Sequence, residues 1–200
     1  MLLKISIIVL AYLLGSIPSG YLIFKITQKE DIRSFGSGNI GATNVARAMG
    51  TKGGLLTLFL DIAKGAAAVL LARYLLNTNL AAAAGVMAII GHNFSLFLKF
   101  KGGKGVATAL GVFFSIAAKA ILPSLGIFII MLIAFKYVSL GSISAAVSFP
   151  LFTLLFHYPK EIIIAAIFGG MLIIIAHRSN IRRLIKGKEN KISLGKKKRG

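Results

Sequence analysis

The chain has 200 residues, 56% of them hydrophobic, with no cysteine and with 24 Lys plus Arg against 5 Asp plus Glu. A mean hydropathy of +0.84 and apolar blocks throughout exclude an ordinary soluble domain and point to an integral membrane protein. The missing thiols exclude disulfides, thiolate metal sites and a cysteine nucleophile. The net charge of +19 is spread between and after apolar runs, which argues for an anionic membrane surface or anionic substrates rather than nucleic acid.

The first apolar stretch, 3–26, resembles a signal segment after Lys4, but no A-x-A cleavage site precedes Pro18 and Gly20, so it reads as a retained helix. Stretches 55–76, 80–98, 138–157 and the shorter 162–176 each approach the roughly 17 to 25 residues that cross a bilayer as helix. Between them 106–137 is too long for one span and marginal for two, with Lys119 and Pro123 in its middle.

Charge decides the count. With two spans there, segments 25–53, 99–105, 136–142 and the tail from 178 share one face and carry 5, 3, 1 and 10 Lys plus Arg, while Lys4, Arg73, Lys119 and Lys160 fall on the other. The positive-inside rule then predicts an all-α protein of seven transmembrane helices. Its N-terminus lies outside, its C-terminus is cytoplasmic, and the fourth and fifth helices are short or partly re-entrant. Residues 1–200 read as a single membrane-embedded domain, with 188–200 a basic, flexible tail drawn to anionic headgroups.

Three polar segments interrupt this pattern on the same face. In "SFGSGNIGATN" (34–44), glycines at 36, 38 and 41 let successive N–H groups converge, and Ser37, Asn39, Thr43 and Asn44 add short donors; Arg47 supplies a forked, permanent cation. This is either an anion-binding surface or a flexible loop capping the second helix. In "GHNFSLFLKFKGGKGVATALG" (91–111), Gly102, Gly103 and Gly105 surround Lys104 before a helix N-terminus, as a phosphate cradle would. Gly105 after the lysine breaks the Walker A spacing, and His92 reads as a structural histidine sooner than a catalyst. In "AHRSNIRRLIKGKEN" (176–190), His177 and Asn180 are three apart and share a helix face, and Arg178 adds charge; Arg182 and Arg183 read as headgroup anchors, Glu189 as an ion-pair partner holding the tail down.

Ser142 qualifies by its cytoplasmic placement alone. Asp61 and Lys64 sit inside the second helix at ion-pair spacing, as a buried structural pair or a proton relay. No metal cluster or cofactor motif is visible.

The stretches "SFGSGNIGATNVAR", "GHNFSLFLKFKGGKGVAT" and "HRSNIRRLIKGKENK" resemble, in order and over nearly the whole chain, the three signature regions of bacterial acyl-phosphate:glycerol-3-phosphate acyltransferases. The resemblance implies a seven-helix enzyme of the bacterial cytoplasmic membrane with its active site on the cytoplasmic face. It would make lysophosphatidic acid from acyl phosphate and glycerol 3-phosphate without acyl-CoA or acyl carrier protein. By similarity Ser37 and Arg47 belong to the first motif, Gly102, Gly103 and Gly105 to a glycerol-phosphate loop, and His177 and Asn180 to the third, with Glu189 structural. The H-x-x-x-x-D motif of the other acyltransferase class is absent after His92, His157 and His177.

The expected mechanism follows from charge. Two phosphate-bearing substrates, one with a lipid tail, need cations such as Lys104, Arg47 and Arg178 at an interface open to the bilayer. Lys104, Ser142 and Asn180 would donate to phosphate or to the developing oxyanion. His177 leads as base, with a phosphate oxygen of the donor as the other acceptor. A transporter or channel for phosphorylated solutes is the alternative; it needs a transmembrane route that polar motifs on one side do not supply.

Overall fold

The computed structural model describes residues 1–76 and 78–192, and those residues form nine α-helices. These are α1 (Leu2–Ser16), α2 (Ser19–Gln28), α3 (Ala42–Met49), α4 (Thr51–Leu75), α5 (Thr78–Asn93), α6 (Val106–Phe135), α7 (Val138–Leu155), α8 (Lys160–Ala176) and α9 (Arg178–Ile185). Pro18 lacks an N–H and separates α1 from α2, leaving the Ile17 carbonyl outside any helical ladder. α3 and α9 are short and amphipathic; the others are apolar nearly all round, as lipid-embedded helices are.

The helices meet through small residues. Gly15 of α1 lies against the Ala88 backbone of α5, Gly65 of α4 against the Thr108 carbonyl, and Gly111 of α6 against the Ile62 carbonyl; a Cβ at any of the three would overlap those atoms. Close backbone approach is how helices associate in lipid, where burial of apolar area supplies no drive. Around these contacts a core of small and β-branched side chains forms, including Ala68, Val69, Ala82, Ala88, Ile89 and Val112, closed by the Phe113–Phe149 ring pair (centroids 4.4 Å apart). Large apolar side chains such as Phe59, Leu70, Ile130, Ile133, Leu151 and Phe168 stay exposed on the outside. A second cluster, Phe24, Ile32, Ile40, Val45 and Leu98, anchors the segment between α2 and α3.

α6 is not straight. A 30-residue helix would hold its ends about 45 Å apart. Yet Lys104, just before it, and Ser139, just after it, are joined through Asn180 and Glu189 by three hydrogen bonds of 2.6, 2.7 and 3.0 Å. The helix therefore folds back on itself, and Ala117, in non-helical geometry (φ −144°, ψ 45°), marks the bend, with Pro123 following. Phe113 and Ile121, on the two sides of that bend, line the same cavity. Five helical stretches among the described residues are long and apolar enough to cross a membrane, six when α8 and α9, bent by 59°, count as one. The expected fourth and fifth helices are thus a single bent element, which is why this count falls below seven.

Residues 188–192 of the expected tail pack on the body: the Ile192 N–H donates to the Lys136 carbonyl at 2.7 Å and the Lys191 ammonium stands 5.6 Å from the centre of the Tyr137 ring. The remainder of that tail, 193–200, lies outside the described residues.

Gly111→Ala is expected to destabilise the purified protein by about 1–3 kcal/mol through overpacking against Ile62. Gly126→Ala, with open space around the new methyl, should instead stabilise it by about 0.5–1 kcal/mol. Thermal unfolding in detergent measures both.

Candidate active site

The first polar segment owes its shape to Asn44. This buried side chain accepts from the Ser37 N–H at 2.9 Å and donates to the carbonyls of Phe35 (2.9 Å), Asn39 (2.8 Å) and, at longer range, Ile32 (3.4 Å). Gly36 is required at the tightest point: its φ is +54°, and a Cβ there would overlap Asn44 Oδ1. The result is a fixed turn leading into α3, whose first residues, Ala42 and Thr43, line a cavity with Ser37, Asn39 and Arg47.

The second segment is held from behind. The N–H groups of Gly102 and Gly103 donate to the carbonyls of Asn93 (3.1 Å) and His92 (2.9 Å), and a Cβ on Gly103 would strike His92 Nε2. His92 is itself fixed by a buried cation. The Lys64 ammonium is within hydrogen-bond reach of Ile17 O at 2.7 Å and His92 Nδ1 at 2.9 Å, and it pairs with Asp61 Oδ1 at 2.8 Å. Gly105, in left-handed conformation (φ +79°), turns the chain into α6 directly against Asn93 Oδ1, and Val106 and Ala107 bring that helix's N-terminal N–H groups to the cavity wall.

The third segment closes the ring. α8 ends at His177, whose Nδ1 lies 2.8 Å from the Ile173 carbonyl; an acceptor there makes Nδ1 the donor and leaves the lone pair on Nε2. Asn180 then ties two elements together, accepting from Lys104 Nζ at 2.6 Å and donating to Glu189 Oε1 at 2.7 Å. Glu189 also accepts from Ser139 Oγ (3.0 Å) and Arg183 Nε (2.7 Å). Burial alone would raise its carboxyl, but the donors Asn180, Arg183 and Ser139 prevail and hold it below the usual carboxylate range. Burial pushes the Lys104 ammonium down to about 8; the Glu189 charge opposes this, while Arg183 and Arg47 add to it.

These segments enclose a cavity of about 430 Å³. Its polar part carries Arg47, Lys104, Arg183, His177 and the N-termini of α3 and α6; its apolar part is walled by Leu110, Phe113, Ile121, Leu125, Phe128 and Phe149, drawn from both limbs of α6 and from α7. One chamber thus offers a cationic mouth and an oily recess.

Of the residues singled out from sequence, Ser37, Asn39, Thr43, Asn44, Arg47, Lys104, Gly105, Ser142, His177 and Asn180 all line this cavity. Gly102 and Gly103 are not among its lining residues: their N–H groups donate to the Asn93 and His92 carbonyls, and both glycines pack closely against those residues. Arg178 is exposed and stands outside the lining, although Asn180 and Arg183 of the same helix belong to it. Asn44 and Asn180 have their amide groups committed within the protein, and Ser142 Oγ donates to Val138 O at 2.9 Å. Arg183, read as a headgroup anchor, bonds Glu189 in the cavity wall. Asp61 and His92, weighed from sequence as structural residues first, also line it, and so does Ser139, which escaped the sequence reading. Ser139 was detectable, since it precedes Ser142 by three residues on the same helix face.

The family model described as glycerol-3-phosphate acyltransferase matches residues 5–187. A protein of that name from Endomicrobium trichonymphae is 48% identical, the match covering 99% of this chain and all of the relative. One from Geotalea daltonii is 48% identical over 94% of this chain and 96% of its own. Crystal structures of PlsY (YgiH), described as an integral membrane glycerol 3-phosphate acyltransferase, superpose with TM-scores of 0.91 for the glycerol 3-phosphate form and 0.88 for the lysophosphatidic acid form. Their sequence identities are 42% and 41%; each match covers 95% of this chain, and 96% and 95% respectively of the solved chains.

Because an ammonium attracts an anion only while charged, affinity of the Lys104 site for sulfate, whose own charge is constant over this range, is expected to be full below pH about 8 and to fall as pH rises through that value. Lys104→Arg should remove the fall, since a guanidinium stays protonated. Calorimetric titration with sulfate at several pH values checks both.

Proposed function

The chain belongs to the glycerol-3-phosphate acyltransferase family, and from this we propose that it moves a fatty acyl group from acyl phosphate to the sn-1 hydroxyl of glycerol 3-phosphate. The products are lysophosphatidic acid and inorganic phosphate, and neither acyl-CoA nor acyl carrier protein takes part. The observation that carries the reading is the two-part cavity. Cations suited to phosphate groups open into an apolar recess suited to an acyl chain.

Catalysis begins with charge. Two phosphate anions repel one another, and Arg47, the free N–H groups of Lys104, the rest of the Arg183 guanidinium and two helix N-termini offset that repulsion. With the acyl chain in the recess, its carbonyl lies at the rim beside the acceptor's hydroxyl. Holding the reactants in attack geometry supplies up to about 7–11 kcal/mol in favourable systems. The hydroxyl oxygen forms the new ester bond to the acyl carbon, the bond from that carbon to the phosphate oxygen breaks, and phosphate departs. His177 Nε2 takes the hydroxyl proton, with the departing phosphate as its final holder. Lys104 and the hydroxyl of Ser142 stabilise charge on the carbonyl oxygen and the leaving group. Asn180, itself bonded to Glu189, orients Lys104 in place of direct donation to substrate.

The single domain crosses the bacterial cytoplasmic membrane seven times, N-terminus outside, with the site on the cytoplasmic face. The fold-back of α6 supports this reading, because its two limbs then count as separate short crossings. The cation bias of the segments that build the site points the same way.

Purified protein given acyl phosphate and labelled glycerol 3-phosphate should yield lysophosphatidic acid and phosphate with no other acyl donor present; absence of product overturns the assignment. His177→Ala should lower kcat by about 10²–10⁴, and turnover near wild type would transfer the base role to the phosphate. Since the chain has no cysteine, single replacements can be labelled cleanly. Ser34→Cys and Gly187→Cys should react with an impermeant thiol reagent only from the cytoplasmic side, and Lys160→Cys only from outside.

A further inference from the structure

Two carboxylates face the cavity, and they are not equivalent. Glu189 is consumed by Ser139, Asn180 and Arg183. Asp61, 2% exposed and also in the cavity wall, is engaged through Oδ1 by Lys64, and among the described residues no side chain or backbone group donates to its Oδ2. A bare carboxylate would repel a phosphate substrate. Here the Lys64 ammonium, bonded to Ile17 O and His92 Nδ1 and paired with Asp61 at 2.8 Å, balances that charge, so the acid remains a strong hydrogen-bond acceptor and the pair is not a net anion.

This inference rests on glycerol 3-phosphate as acceptor. Once its phosphate sits on the cations and its sn-1 hydroxyl faces the acyl carbonyl, the C2 hydroxyl is left to be buried, and a buried hydroxyl requires a partner. Three amide oxygens of the wall are already used, Asn39 Oδ1 by the Gly41 N–H, Asn44 Oδ1 by the Ser37 N–H and Asn180 Oδ1 by Lys104, and His177 Nε2 is assigned to the reacting hydroxyl. We infer that the Asp61 carboxylate, neutralised by Lys64, binds the C2 hydroxyl of glycerol 3-phosphate and is a specificity-determining residue of the acceptor site. The pair is then a recognition device as well as a structural one, and it selects polyol phosphates over simple alkanol phosphates.

The test compares kcat/KM for glycerol 3-phosphate with that for 3-hydroxypropyl phosphate, which keeps the phosphate and the reacting hydroxyl and lacks only the one at C2. Wild type should prefer glycerol 3-phosphate by at least about tenfold, as sites built to bond a hydroxyl reject its deoxy analogue. Asp61→Leu combined with Lys64→Met removes acceptor and countercharge together and should bring the ratio to within about threefold of unity. Should that variant not fold in detergent, Asp61→Asn, which keeps shape but loses the charge-assisted bond, should lower the ratio by at least about threefold. A wild-type ratio near one, or variants that slow both acceptors by the same factor, would overturn the inference and leave a purely structural pair. Failure of wild type to acylate glycerol 3-phosphate at all would instead strike the enzymatic reading above, and the two failures are distinct in one assay.

Discussion

The fold turns on one buried ammonium. Lys64 lies in the middle of an apolar helix, where an isolated charge would cost several kcal/mol even after relaxation. It is tolerated because three chain segments converge on it: the break between α1 and α2 through Ile17 O, its own helix through Asp61, and the end of α5 through His92. The carbonyl from the first segment is available only because Pro18 interrupts the helix there. From His92 the constraint passes outward, since the backbone of His92 and Asn93 holds Gly102 and Gly103, and these set where Lys104 stands. Lys104 meets Asn180, and Asn180 meets Glu189. A line of hydrogen bonds thus runs from the interior of the helix bundle to the segment beyond α9.

The second constraint is steric. Helices in lipid gain little from burying oil against oil, so they must approach closely enough for backbone to touch backbone. Gly15, Gly65 and Gly111 allow this for α1, α4, α5 and α6. With α4 and the first limb of α6 pressed together, and α6 folded back at Ala117, the space between its limbs and α7, lined in part by the small side chains of Ala109, Ala145 and Ala146, is left open as the apolar recess. The oily part of the site is therefore a consequence of how α6 bends, and the charged part a consequence of how the Lys64 cluster ties the loops down.

This division suits a reaction between an amphiphilic phosphate and a soluble one. In the proposed reaction neither substrate needs covalent attachment to the protein, because an acyl phosphate already carries a good leaving group. What the protein must provide is cation density against phosphate repulsion, a fixed proton acceptor and a path for the chain. Asn44, Asn180 and Glu189 are bonded within the protein and fix the groups around them. The dense internal bonding of polar loops explains why so many of their short side chains are unavailable to a ligand.

The membrane class, the helical architecture, the three polar segments and their cations were legible in the sequence. Hydropathy, cation bias and glycine-lysine motifs are local quantities, and Arg47, Lys104, His177 and Asn180 were read from them and do meet in one cavity. Which donors are free was not legible. Whether the Gly102 N–H faces a phosphate or the Asn93 carbonyl, whether Arg183 meets a headgroup or Glu189, and whether 106–135 is two helices or one folded back all depend on residues distant in the chain. Hydrogen-bond partners are assigned by three-dimensional proximity, so the sequence determined which chemical groups this protein possesses, and only the tertiary structure decided which of them remain for a substrate.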